Sequence, residues 1–177
     1  MDLPALLALA RRSSRDEFVK HFRHPFLARP RLAETAHGVA DDAASTDVGP
    51  LDHTPPIGDQ LRPAAVRYVP IVRNPTSPYT DRITIGRTAN CDVVLKDRSV
   101  SKLHALLWPH ADQTRWAVCD ARSANGTFLN STRLAPLQKV PIRAGDLLRL
   151  GLIEMRFVDA SLLYDLLLRR LPRLPPR

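Results

Sequence analysis

The sequence predicts a mainly β protein, built as an antiparallel sandwich of roughly ten short strands with helices at both ends. From about Ala64 onward apolar and polar residues alternate, as in "DRITIG" and "RWAVCD". A period of two is typical of strands that bury one face. These runs are evenly spaced, and no helical pattern separates them. Before residue 36 and after Asp159 the apolar spacing is instead helical.

Residues 1–35 are predicted to form a helical extension. Ser14 followed by Glu17 is a capping box, which is typical of a helix start. Phe18 and Phe22 then lie on one face of the second helix as an aromatic stripe. We expect this stripe to pack on the rest of the chain, with a docking surface for a partner as the alternative.

Three further regions follow along the chain. Residues 36–63 are rich in Gly, Pro, Asp, Ser and Thr and lack any period, which predicts a flexible linker. Residues 64–159 carry the strand pattern and form the sandwich domain. Residues 160–177 are predicted to form a C-terminal helix followed by a tail rich in Pro and Arg.

The positive charge is concentrated in the second part of the chain. The formal net charge is +8; residues 1–60 hold 7 Lys and Arg against 9 Asp and Glu, whereas residues 61–177 hold 19 against 9. This imbalance suggests an anionic partner, although a solvated basic surface explains it equally well.

Several classes of protein are disfavoured by the sequence. Cys91 and Cys119 match no zinc spacing and are read as reduced thiols, which favours a cytoplasmic protein. No apolar run approaches the length of a membrane span, and the start of the chain does not resemble a secretion signal. We expect no metal, no cofactor and no enzymatic activity, because neither a phosphate loop nor a nucleophile motif is present.

Three short motifs in order identify a family resemblance. They are "IGR" at 85–87, "SKLH" at 101–104 and "NGTFLN" at 125–130. Each is weak alone, but in this order and between strands they resemble the forkhead-associated (FHA) domain. The resemblance covers about half of the chain and implies an FHA-type β sandwich of about eleven strands, which binds phosphothreonine peptides through loops at one end.

The resemblance places five residues in contact with the phosphopeptide. Their chemistry suits a phosphate, which carries nearly two negative charges and three acceptor oxygens. A guanidinium offers a charged fork, an ammonium a second positive charge, hydroxyls can donate, and a carboxamide can grip a peptide backbone. The predicted guanidinium is that of Arg87 and the ammonium that of Lys102. The hydroxyls belong to Ser101 and Ser123, and the carboxamide belongs to Asn125.

Four further residues are expected to support the site. Gly86 is expected where backbone packs closely. The loop DRSVSK, residues 97–102, carries Ser101 and is called the serine loop below. The resemblance implies that His104 braces this loop by hydrogen bonds and does not touch the ligand. Gly126 completes an Asn-Gly turn, and Asn130 is expected to satisfy loop backbone. Two roles are left open for Arg98: it selects an acidic residue of the ligand, or it is simply solvated.

The protein is predicted to act as a non-catalytic adaptor in Ser/Thr kinase signalling. Its composition resembles that of bacterial proteins. Its partners would be Thr-phosphorylated proteins or a Ser/Thr kinase. Phosphorylated Thr54, or alternatively Thr46, is a hypothetical ligand within the same chain. The alternatives are a phospho-independent interaction scaffold and a weak nucleic-acid binder through the basic surface; the low aromatic content of 6% argues against nucleic acid.

Overall fold

The computed structural model describes residues 3–30, 66–75, 77–110 and 115–168. Within these residues lie three helices and eleven strands. The helices are α1 (Leu3–Arg12), α2 (Arg15–His21) and α3 (Ala160–Leu167). The strands are β1 (Phe26–Pro30), β2 (Val66–Pro70), β3 (Ile83–Gly86), β4 (Val93–Val94), β5 (Ala105–Pro109), β6 (Trp116–Asp120), β7 (Thr127–Leu129), β8 (Thr132–Arg133), β9 (Val140–Ile142), β10 (Leu147–Leu150) and β11 (Ile153–Val158).

The strands form two sheets that pack face to face, so the predicted sandwich of about eleven strands is confirmed. One sheet has the order β2-β1-β11-β10-β7-β8, and the other has the order β4-β3-β5-β6-β9. Alternate apolar residues from both sheets fill the space between them, as the period of two predicts. Ile85, Leu107, Leu148 and Met155 are among the fully buried members of this core.

One strand pair departs from the predicted antiparallel arrangement. β3 and β4 pair in parallel, with Ile85 opposite Val93. The carboxylate of Asp92 accepts hydrogen bonds from the backbone N–H and the hydroxyl of Thr84, both at 2.7 Å. The chain therefore returns to the middle of β3 before β4 begins, and the two strands run in the same direction.

The helical extension predicted over residues 1–35 ends earlier than expected, because Phe26–Pro30 is a strand. β1 lies between β11 and β2 and is antiparallel to both, with Phe26 opposite Val158 and opposite Pro70. Leu27 faces the core between the sheets, whereas Phe26 and Ala28 face the helices. Phe26, Leu27 and Ala28 are apolar on both faces of the strand and show no alternation, so the sequence does not reveal it.

The helices cover the outer face of the six-stranded sheet. The predicted capping box is present: Ser14 Oγ accepts from the Glu17 N–H, and the Glu17 carboxylate accepts from the Ser14 N–H at 2.8 Å. Phe18 is fully buried between Phe22 and Tyr164, at ring-centre distances of 4.8 and 5.4 Å. The aromatic stripe therefore belongs to a second core, and the packing expected for it is confirmed.

The segment predicted as a linker joins two neighbouring strands. Pro30 at the end of β1 lies opposite Val66 at the start of β2. Residues 31–65 thus leave and re-enter the sheet at one place; they lie outside the described residues, as does the predicted tail from residue 169. Among the described helices none is both long and apolar enough to cross a membrane.

Candidate functional site

The three sequence motifs lie on loops at one end of the sandwich. β3 ends there, β5 begins there and β6 ends there, because β5 is antiparallel to both of its neighbours. The loops are formed by residues 87–92, 95–104 and 121–126, and the turn at residues 151–152 between β10 and β11 lies beside them. The topology therefore collects residues from distant parts of the sequence.

Arg87 is held along the serine loop by two hydrogen bonds. Its backbone N–H donates to the Ser101 carbonyl at 3.0 Å, and its side-chain Nε donates to the Val100 carbonyl at 3.1 Å. The two Nη groups are exposed and have no hydrogen-bond partner among the described residues. The guanidinium is thus oriented through Nε, and its remaining donors are available to an anion.

Gly86 is required by a close approach of two backbones. A Cβ at this position would collide with the carbonyl oxygen of Lys102 and would also crowd the Cys91 sulfur at 2.8 Å. The same carbonyl accepts from the Thr88 hydroxyl at 2.8 Å. Any side chain at Gly86 would push the serine loop away from β3, which agrees with the close backbone packing expected there.

Ser101 and Asn125 connect the serine loop to the loop after β6. Ser101 Oγ accepts the Ala124 N–H at 3.0 Å, and its own hydroxyl hydrogen has no acceptor among the described residues. Asn125 Nδ2 donates to the Ser99 carbonyl at 2.8 Å. The exposed side chain of Asn125 retains its Oδ1 and one N–H, so both residues keep groups for a ligand.

Ser99 is a central contact of the site that the sequence did not reveal. Its hydroxyl donates to Asp97 at 2.7 Å and accepts the Leu152 N–H at 3.0 Å. The hydrogen bonds from Ser99 lower the pKa of Asp97. The backbone of Gly151, at a φ of +60°, packs against the Ser99 carbonyl where no Cβ fits. Ser99 therefore fixes the serine loop to the turn between β10 and β11.

His104 is fully buried and joins two of the loops. Its Nδ1 accepts the Ser101 N–H at 3.0 Å, so Nε2 carries the proton and donates to the Gly126 carbonyl at 3.1 Å. Burial lowers the pKa of His104, and the Gly126 carbonyl and the charge of Asp120 only partly oppose this effect. The ring is therefore neutral, and these bonds are those that a bracing role requires.

Ser123, whose contact with the phosphopeptide stays a prediction, is hydrogen-bonded within its own loop. Its hydroxyl donates to the Asp120 carboxylate at 2.5 Å, and its backbone N–H donates to the same group at 3.0 Å. The Thr127 hydroxyl donates to Asp120 as well, at 2.7 Å. Although burial raises the pKa of Asp120, these hydrogen bonds outweigh it and lower the pKa. Ser123 is thus engaged in bracing its own loop.

Gly126 and Asn130 support the turns that follow. Gly126 has a φ of +79°, and its carbonyl accepts from His104 and from the Gly151 N–H at 3.2 Å. Asn130 has a φ of 48° and satisfies backbone, because its Oδ1 accepts the Leu147 N–H at 2.9 Å and its Nδ2 donates to Asp146 at 2.8 Å. The Asn130 side chain is thus used within the domain.

The charge around the loops is positive. Arg87, Arg98 and Lys102 are all exposed, and Asp97, an acid in the same loop as Arg98, accepts hydrogen bonds from Ser99. Among the described residues no group of three or more His, Cys, Asp or Glu side chains is arranged to hold a metal ion. The site as built offers a guanidinium, an ammonium, a hydroxyl and a carboxamide, which together suit an anionic peptide.

Comparison with known proteins identifies the same region. A sequence model described as the FHA domain matches residues 83–151. The FHA domain-containing protein PS1 of Arabidopsis thaliana is 27% identical over 88 residues, which cover 48% of this chain and 6% of that protein. The E3 ubiquitin-protein ligase RNF8 of Mus musculus is 37% identical over 73 residues, which cover 39% of this chain and 15% of that protein.

A solved structure of the MEK1 FHA domain, in complex with a phosphorylated HOP1 peptide, is 26% identical and has a TM-score of 0.42. The match covers 52% of this chain and 88% of that domain. Curated matches come from a plant, yeast, mammals and a bacterium, so a bacterial source stays a prediction. This chain spans only a small part of the length of the curated relatives that it matches, between 6% and 15% of the two named above. The FHA model therefore matches the segment of this chain that carries all three sequence motifs.

Proposed function

We propose that the FHA domain of this chain binds phosphothreonine peptides and acts as a non-catalytic adaptor in Ser/Thr kinase signalling. The proposal rests on the hydrogen bonding of the Arg87 guanidinium. Its Nε donates to the Val100 carbonyl, while the exposed side chain keeps its Nη groups without a partner among the described residues. The partners would be a Ser/Thr kinase or its phosphorylated substrates, in the cytoplasm, where the two buried free cysteines stay reduced.

The donors match what a phosphate monoester requires. Arg87 can offer two parallel N–H groups to two phosphate oxygens, and the free hydroxyl hydrogen of Ser101 can reach a third. Lys102 adds a charge with less directional demand. Asn125 keeps an acceptor and a donor for the backbone of the bound peptide. Charge-assisted hydrogen bonds contribute about 1.5–3 kcal/mol each, which makes the phosphate the dominant contact.

The test is binding of the full chain to a degenerate phosphothreonine peptide library. The same library without phosphate and a phosphoserine version are run in parallel. Arg87→Ala removes the proposed phosphate donors, and Arg67→Ala, at an exposed position on β2, removes the same charge elsewhere. Fluorescence anisotropy at two salt concentrations measures affinity and its electrostatic component.

Binding should require the phosphate, and Arg87→Ala should weaken it at least tenfold while Arg67→Ala changes it less than twofold. Equal affinity for the phosphothreonine library and the unphosphorylated library would refute the proposal and leave a phospho-independent scaffold. A steep loss of binding to unrelated oligonucleotides with salt, without any response to phosphopeptides, would instead favour the nucleic-acid alternative.

We further propose that phosphorylated Thr54 is a ligand of this site, in the same chain or in a second copy. The connection that contains it is anchored where Pro30 pairs with Val66, near the turn at residues 151–152 that contacts Ser99. Thr54 precedes Val66 by 12 residues, a contour of about 40 Å. A tether of this kind provides an effective concentration of the order of millimolar.

Installing phosphothreonine at position 54 of the full chain tests this idea. The modified chain should bind an external phosphopeptide more weakly than the unmodified chain, with phosphothreonine at position 35 as the matched control and at position 46 as the test of the alternative ligand. A size measurement separates binding within one chain from binding between copies. If modification at position 54 leaves the affinity for the external peptide unchanged, Thr54 is not a ligand.

A further inference from the structure

A cavity of about 560 Å³ lies between the helices and the sandwich. Its apolar part includes Phe22, the C-cap of α2, with Trp116 of β6, Ile142 of β9 and Phe157 of β11. Trp116 and Phe157 are in contact across the two sheets, with ring centres 6.2 Å apart. A volume of this size accommodates one or two large side chains or a small ligand.

The cavity is at the end of the sandwich opposite to the phosphopeptide loops. Trp116 begins β6, whereas Asp120, which braces the site, ends it. Ile142 lies opposite Trp116 in the neighbouring strand. The five residues of β6 separate the two regions by about 13 Å, at 3.3 Å per residue. The cavity is therefore no extension of the phosphopeptide site.

Arginines dominate the charge of the cavity. Arg23 follows α2, Arg115 precedes β6 and Arg143 follows β9, and all three are exposed. Among the described residues of the lining the one acid is Asp159, which is the N-cap of α3 and accepts the Leu162 N–H at 2.7 Å. The lining thus has an excess of positive charge over an apolar floor, contributed by three separate segments of the chain.

We propose that this cavity binds an acidic peptide segment of a partner protein, with a large apolar side chain as its anchor. The apolar floor takes the anchor, and Arg23 and Arg143 pair with flanking carboxylates, which suits a charged rim around a buried contact. Val19, at the edge of the cavity, is 37% exposed and extends the apolar contact along the peptide. The chain then holds two separate ligands at opposite ends of one domain.

The two tryptophans of the chain provide a selective readout. Trp116 lines the cavity, whereas Trp108 lies under Lys139 at 4.2 Å and is absent from the lining. The full chain labelled with ¹⁵N-tryptophan yields two indole signals, which Trp108→Phe assigns. The probe is a synthetic peptide with Phe-Leu between two blocks of three Asp or Glu residues. Its matched control replaces Phe-Leu with Ser-Gly.

The acidic peptide should shift the Trp116 signal and leave the Trp108 signal in place. Arg143→Glu should weaken binding about tenfold, whereas Arg98→Glu, the same charge reversal at the other end of the domain, should change it less than twofold. The Ser-Gly control should bind at least fivefold more weakly. An unchanged Trp108 signal in each variant shows that the domain is folded.

Arg87→Ala should leave binding of the acidic peptide unchanged, so this inference stands apart from the proposed phosphothreonine function. A Trp116 signal that does not move, or equal losses from Arg143→Glu and Arg98→Glu, would overturn it. A Trp116 signal that moves in the peptide-free chain when Asp41 and Asp42 are changed to Asn would assign the cavity to the chain's own acidic segment instead of to a partner.

Discussion

Replacement of His104 by alanine tests the bracing of the site most directly. The change removes two hydrogen bonds from a fully buried position. The Ser101 N–H then has no partner, whereas the Gly126 carbonyl keeps the bond from Gly151. An orphaned buried donor costs about 1–3 kcal/mol, and the space left by the imidazole adds to it. We expect His104→Ala to lower the free energy of unfolding by about 2–4 kcal/mol.

The pH dependence of the stability difference separates the titration of the imidazole from the loss of its packing. Burial lowers the pKa of His104 below its ordinary value of 6.5, so the unfolded chain takes up a proton before the folded chain does. The contribution of His104 is therefore complete above about pH 6.5 and is lost as the pH falls from there towards the folded pKa. The difference between the parent and His104→Ala should shrink over this interval, by at most about 1.4 kcal/mol per pH unit.

Urea unfolding at several pH values between 5 and 8 measures both quantities. Burial also lowers the pKa of His24, but His24 is present in both proteins and cancels in the difference. The affinity for a phosphopeptide should fall together with stability, because the Ser101 N–H is no longer fixed. A loss below 1 kcal/mol at pH 7.5, or parallel pH profiles for the two proteins, would refute this account of His104.

Three further predictions concern other parts of the molecule. Gly86→Ala should cost about 1–3 kcal/mol of stability through the collision with the Lys102 carbonyl, and should weaken phosphopeptide binding; unchanged unfolding would contradict the close approach. Ser123→Ala should cost about 1 kcal/mol and leave phosphopeptide affinity within twofold, whereas a tenfold loss would restore its predicted contact with ligand. Phe18→Ala should cost about 3–5 kcal/mol, and Val19→Ala less than about 1 kcal/mol, with tryptophan fluorescence as the measurement. A tethered, independent helical extension predicts no change in that signal for either variant.

Ten of the eleven strands were predictable because they show their pattern locally. Apart from β8, whose two residues are exposed, each alternates between core and outer face or forms a short buried run bounded by turn residues. β1 did not, because Phe26, Leu27 and Ala28 are buried on both faces and no alternation remains. The parallel pairing of β4 was equally hidden, since it depends on the Asp92 carboxylate reaching Thr84.

The sequence by itself determined the FHA motifs, the strand spacing and the identity of Arg87, Ser101 and Asn125 as site candidates. Only the tertiary structure decided which of their atoms remain free. Ser123 turned inward to Asp120, and Ser99 proved to join residues 26 and 53 positions away. The cavity beside α2 likewise depends on β1 drawing the helices onto the sheet. A sequence motif shows which hydrogen-bonding groups are present. Each group can make only a few hydrogen bonds, and only the folded chain shows which of these are already made within the protein.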